Sequence, residues 1–99
     1  MKIPKKIKIF DVWFTIRMVE DPSRDPELRA GEVGCTNTDL YTIAIDATAS
    51  PIQQERTFYH EVVHAIMRVG GLTEILTDEM EEGICEALGH ALPQIVRLK

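Results

Sequence analysis

His60, Glu61 and His64 stand as His-Glu-x-x-His within "TFYHEVVHAI", Thr57 to Ile66. Residues four apart on a helix are separated by about 40° in azimuth and about 6 Å in rise, so His60 and His64 share one face. Two imidazoles placed this way can both reach one ion at about 2.0–2.1 Å, the usual zinc–nitrogen distance. Glu61 lies about 100° round from His60, off the ligand face but within reach of a water held by the metal. A carboxylate there can take a proton from that water and later hand it to a leaving amine. The spacing therefore predicts metal-assisted hydrolysis, with Zn2+ as cofactor, His60 and His64 as ligands, Glu61 as general acid/base and a peptide or protein as substrate.

Such a site needs a third protein ligand and one position left open for water. A glycine three residues and a histidine six residues after the second histidine would mark the metzincin arrangement. Met67 and Gly70 occupy those positions, so that arrangement is excluded. A glutamate from a following helix remains, and "TDEMEEGICEALGHAL" offers Glu79, Glu81, Glu82 and Glu86. The apolar face of that helix reads as Met80, Ile84, Leu88, Ala91 and Ile95. Glu82 and Glu86 flank a different stripe containing Cys85 and Gly89, whose small size lets two helix backbones approach. That favours Glu82 or Glu86 as the third ligand and leaves Glu79 and Glu81 as a solvated face. His90, four residues after Glu86, reads as its surface partner. Tyr41 and Tyr59 are candidates for stabilising an oxyanion by residue type alone.

The elements that must hold these residues are readable from periodicity and caps. "KIKIFDVWFTIRMVE" alternates apolar positions and changes phase near Asp11, which predicts one bulged strand or a two-strand hairpin. Residues 21–34, with two prolines, two glycines and many charges, read as a loop. "LYTIAID", Leu40 to Asp46, is a second clear strand. Read as an edge strand, it would receive a substrate backbone antiparallel to Thr42, Ile43, Ala44 and Ile45. Ser50 can cap a helix, Pro51 suits its first position and Gln53 its capping box. That helix runs to about Val69 and stops at Gly70-Gly71. Its apolar side is Ile52, Phe58, Val62, Ile66 and Val69. Thr77 or Asp78 opens a last helix, which Pro93 should kink or end, with Arg97 and Lys99 near its finish. Strands followed by two helices predict an α+β fold. The expected architecture is a small antiparallel sheet of about three strands under two main helices, in a single domain over residues 1–99.

Composition narrows the function class. The 99 residues carry a formal net charge of −5, with 44% hydrophobic and 27% charged residues. The missing basic excess argues against nucleic-acid binding through phosphates. Lys2, Lys5, Lys6 and Lys8 read instead as protection of a strand edge. No run approaches the length of a membrane span, and no long apolar stretch follows the basic start, so a cytoplasmic protein is expected. Cys35 and Cys85 lack a metal-type spacing and read as reduced thiols, Cys85 the more buried.

"RTFYHEVVHAI" followed by "EEGICEALGHAL" resembles the small zincin-like metallopeptidases of phages and mobile elements, gluzincin-type relatives of the ImmA/IrrE peptidases. "YTIAID" and "SPIQQERT" fit the strand and helix start that precede the motif in those families. The resemblance implies zinc ligation by His60 and His64, catalysis by Glu61, and a third ligand opening a Glu-x-x-small pattern. Glu82 in "EGIC" fits that place, with Glu86 in "EALG" as the alternative register. It also implies a host-cytoplasmic location if the chain is phage-encoded. Two rival readings stand beside it. One is a zinc-binding regulatory or interaction module of a phage or mobile element with little or no turnover. The other is a metal-free helical hairpin whose histidines are incidental. Oligomeric state is not encoded in any motif here.

Overall fold

A computed structural model of the chain describes residues 2–29 and 31–97, the side chain of Arg97 excepted. Four strands and two long helices appear in the order β1 (Lys6–Ile9), β2 (Val12–Val19), β3 (Gly34–Asn37), β4 (Thr42–Asp46), α1 (Pro51–Val69) and α2 (Asp78–Arg97). The fold is α+β, as expected. The sheet differs from expectation in two ways: it has four strands, and it is mixed rather than antiparallel. Its order is β1-β2-β4-β3, with β2 and β4 parallel and the two outer pairs antiparallel.

The phase change near Asp11 is a hairpin. Phe10 and Asp11 both take positive φ, 48° and 66°, which matches the turn type whose twist suits two flanking strands. The fourth strand, "GCTN", lies within and beyond the expected loop. It is too short and too polar to announce itself. It pairs with β4 through a turn in which the Asn37 side chain accepts from the Asp39 and Leu40 amides at 2.9 and 3.0 Å.

This fourth strand corrects the reading of Thr42, Ile43, Ala44 and Ile45. β4 lies between β2 and β3 and has no free edge. Its three middle residues are all buried, the continuous apolar run of a central strand. The edge on that side of the sheet is β3.

One sheet face packs on α1. Ile9, Phe14, Ile16, Ile43 and Ile45 meet Phe58, Val62 and Ala65 in the main core. The other face is covered by the segment after β2, where Leu28 packs with Val19, Ala44 and Cys35. That segment is tied down by Arg17, whose guanidinium donates to Asp25 at 3.1 and 3.0 Å and to Glu27 at 3.0 and 2.7 Å.

α1 begins and ends where its signals place it. Ser50 accepts from the Gln53 amide at 3.2 Å, and the chain turns at Gly71 with φ of 82°. The Gln53 side chain does not close a capping box; it donates to Thr57 at 3.1 Å. Phe58 and Val62 are buried, but Ile52 and Ile66 face outward.

α2 packs along α1, and not with the expected face. Met80, Ile84, Leu88 and Ile95 are exposed, while Glu81, Cys85 and Gly89 are buried against α1. A Cβ on Gly89 would stand 3.0 Å from the Arg56 carbonyl, so the helices touch nearly backbone to backbone there. The helix also runs through Pro93, which lies within five residues of its end. Proline lacks the N–H that would bond the Gly89 carbonyl four residues back, so the cost is one bond in the last turns of the helix. Lys99 lies outside the described residues. Cys35 and Cys85 are both free thiols.

Candidate metal centre

His60 and His64 project from successive turns of α1 toward α2, with ring centroids 5.0 Å apart. Both are well covered, with side chains 16% and 9% exposed. Across from them, α2 supplies three carboxylates with distinct places. Glu82 spans the pair: its Oε1 lies 3.0 Å from Nε2 of His60 and its Oε2 lies 3.0 Å from Nε2 of His64. Glu86 sits on the far side of His60, 3.0 Å from Nδ1. Glu81 sits on the far side of His64, 2.6 Å from Nδ1.

His60, His64 and Glu82 each present a ligand atom, all within 4.8 Å of one another. The three residues are therefore close enough to hold a metal ion. The donor chemistry fits as well. A carboxylate on Nδ1 accepts its proton, leaving the lone pair on Nε2. Both Nε2 atoms face Glu82, a donor set that a cation between them would satisfy. Glu82, not Glu86, completes this set, and the close approach at Cys85 and Gly89 is what brings it there.

Glu61 points from α1 to the β3 side of the same site. Its Oε2 stands 4.0 Å from Nε2 of His60, beside the ligand face but outside the ligand set. The Thr36 hydroxyl lies 2.8 Å from Oε1 of Glu61 and 3.0 Å from its carbonyl. Burial pushes the Glu61 carboxyl above the usual carboxylate range. The Thr36 hydrogen bond and the two histidines pull it back only in part. β3 can come this close because Gly34 has no side chain: a Cβ there would collide with Thr57 and stand 3.1 Å from Glu61 Cγ.

These groups line one cavity of about 460 Å³ with Gly34, Cys35, Thr36, Arg56 and His90 among its walls. His90 places Nδ1 2.9 Å from the Glu86 carbonyl and 3.5 Å from its carboxylate, the expected pairing with its own helix. Tyr41 and Tyr59 do not line this cavity. Tyr41 makes an edge contact with Phe14, and Tyr59 packs on the core beside Phe58. Thr42, Ile43, Ala44 and Ile45 are absent from its walls too.

Two participants escaped the sequence. Glu81 is buried rather than solvated, and its signal was the four-residue spacing Glu81, Cys85, Gly89. Thr36 belongs to no motif; only the sheet topology brings it to Glu61.

Comparison with known proteins overturns one expectation. A family model described as DA1-like, Protein DA1, matches residues 52–95. That segment holds α1 from its second residue and most of α2, hence His60, Glu61, His64 and Glu82. The match is to this family and not to the ImmA/IrrE peptidases of phages and mobile elements, so the phage assignment is withdrawn. Two histidines on one helix and a glutamate on the next are a solution imposed by metal geometry. Residues of that kind cannot by themselves separate one lineage from another. No curated protein and no solved structure matches the chain. Among the described residues, no helix is long and apolar enough to cross a membrane.

Proposed function

We propose that the protein is a zinc-dependent metallopeptidase, with His60, His64 and Glu82 as ligands and Glu61 as general acid/base. The observation that carries this reading is the division of labour around His60. Three donors gather within 4.8 Å of one another, while a further carboxylate, Glu61, is held beside them by Thr36 and kept out of the set. A structural metal site has no use for such a group; a hydrolytic one needs it. Two nitrogens and one carboxylate oxygen, with room on the cavity side, suit zinc among the common ions.

When bound, zinc would polarise a carbonyl and lower the pKa of a water. The protein's own contribution is then the following. Glu61 takes a proton on the side facing the cavity and returns it to the leaving amine. Thr36 fixes the rotamer of Glu61 by holding Oε1. The substrate backbone pairs with β3, the edge strand that walls the cavity, in place of β4. Asp46 donates to the Val33 carbonyl at 2.9 Å, so by the alternation of an antiparallel ladder Gly34 and Thr36 turn their main-chain groups outward. Arg68 already occupies the Thr36 carbonyl at 2.9 Å. The Gly34 amide and carbonyl and the Thr36 amide remain for an extended peptide.

The test is peptide-library hydrolysis by zinc-loaded wild type and by Glu61→Gln. Loss of the base should lower kcat by about 10²–10⁴-fold while zinc content stays equal. Absence of cleavage by zinc-loaded wild type would leave a metal-binding module without turnover. The absence of both tyrosines from the cavity favours that second reading.

A further inference from the structure

Glu81 is the junction of a small buried network that the hydrolytic scheme does not use. Its Oε2 lies 2.6 Å from Nδ1 of His64, and its Oε1 accepts from the Thr73 hydroxyl at 2.7 Å. Nε of Arg68 stands 3.6 Å from the same Oε2. The residue is 6% exposed, so these contacts are shielded from water. Thr73 belongs to Leu72–Glu74, the single 3₁₀ turn that joins the two helices.

We infer that Glu81 is a positioning residue for the metal centre. It accepts the Nδ1 proton of His64 and aims Nε2 at the ion, and through Thr73 it makes the α1–α2 connector part of the site. The inference rests on the metal-binding reading above and extends it to residues that touch no metal.

The chemistry follows from what each group can do. A carboxylate can only accept, and both ring nitrogens of His64 face one, Nδ1 toward Glu81 at 2.6 Å and Nε2 toward Glu82 at 3.0 Å. An ion held by Nε2 and Glu82 would take the place of a proton on Nε2, so the one proton of the neutral ring would sit on Nδ1, against Glu81. Carboxylates hydrogen-bonded to ligand histidines fix ring orientation and raise ligand basicity, and their loss lowers metal affinity by about 10–100-fold. Glu86 makes the corresponding contact on His60, but its side chain is 60% exposed and water competes for it. The two histidines are thus held unequally. His64 is locked by a buried network reaching the connector, and His60 is held by a solvated carboxylate. Thr73 in turn locks Glu81: without its hydroxyl, Oε1 would be buried with no donor.

The experiment is a zinc competition titration on the full chain, stripped with chelator, for wild type, Glu81→Gln, Thr73→Val and Thr73→Ser. Melting curves in chelator are run in parallel. Glu81→Gln should bind zinc about 10–100-fold more weakly. Thr73→Val should lose about fivefold, the size of one hydrogen bond, and Thr73→Ser should restore wild-type affinity. Imidazole nitrogen NMR of the zinc-bound wild type should show His64 protonated at Nδ1. Wild-type affinity in both Glu81→Gln and Thr73→Val, or a His64 proton on Nε2, would overturn the inference. Should Glu81→Gln not fold, the Val and Ser substitutions at Thr73 decide alone. Zinc uptake with the predicted losses but no peptide cleavage would sink the peptidase reading and leave this inference standing. Failure of wild type to take up zinc would end both.

Discussion

Thr36 and Glu61 are joined by one hydroxyl proton shared between two acceptors on the same residue, the carboxylate at 2.8 Å and the main-chain carbonyl at 3.0 Å. The contact crosses from the edge strand of the sheet to the motif helix and fixes the Glu61 carboxylate with respect to β3, the proposed base with respect to the strand proposed to receive substrate. Thr36→Val keeps the shape and removes the donor. Steady-state kinetics should show kcat lowered about tenfold, the value of one hydrogen bond to a charged group, with zinc affinity unchanged. Thr36→Ser should restore kcat.

Gly34 makes that crossing possible. A methyl group on it would run into Thr57 and press on Glu61 Cγ at 3.1 Å, and both belong to a helix packed on the core. Both side chains would have to change rotamer, and Glu61 would thereby strain its bond to Thr36. Gly34→Ala should destabilise the fold by about 1–3 kcal/mol, measured by chemical denaturation.

On the opposite sheet face, the Arg17 side chain hydrogen-bonds Asp25 and holds its carboxyl down at about 2, from an ordinary 3.8, with help from the Leu28 and Glu27 amides. A carboxyl depressed in the folded state adds stability that is complete above its unfolded value and fades as pH falls through its folded one. The melting temperature of wild type should therefore drop between about pH 4 and pH 2. In Arg17→Gln that drop should be smaller, because Asp25 then titrates nearer its unfolded value.

Much of the fold could be read in advance because its signals are local. Ser50-Pro51 and Gly70-Gly71 bound α1 through backbone chemistry that needs no tertiary partner, and they fix the face carrying His60 and His64. The third ligand was narrowed to Glu82 or Glu86 because Cys85 and Gly89 are small. Choosing between them took the register of two packed helices. What was not readable depended on contacts distant in sequence. "GCTN" becomes a strand only because β4 offers it an edge, and the parallel pairing of β2 with β4 follows from that insertion. The Ile-Ala-Ile run of β4 did carry the mark of a central strand.

Apolar periodicity misled in α2. Met80, Ile84 and Leu88 form the conspicuous stripe, yet the face against α1 is Glu81, Cys85 and Gly89, where a carboxylate is buried for its contact with His64. The difference can be measured. Met80→Gln should change stability by less than about 0.5 kcal/mol, as an exposed substitution does. Burial of Met80 would show instead as a loss of about 2 kcal/mol or more.

The metal centre itself is tested most directly by zinc stoichiometry, measured by calorimetry on chelator-stripped protein. Wild type should take up one zinc per chain, and Glu86→Gln should do the same with weaker affinity. Glu82→Gln should lose stoichiometric binding, because Glu82 alone faces both Nε2 atoms. No stoichiometric uptake by wild type, or full uptake by Glu82→Gln, would contradict the account.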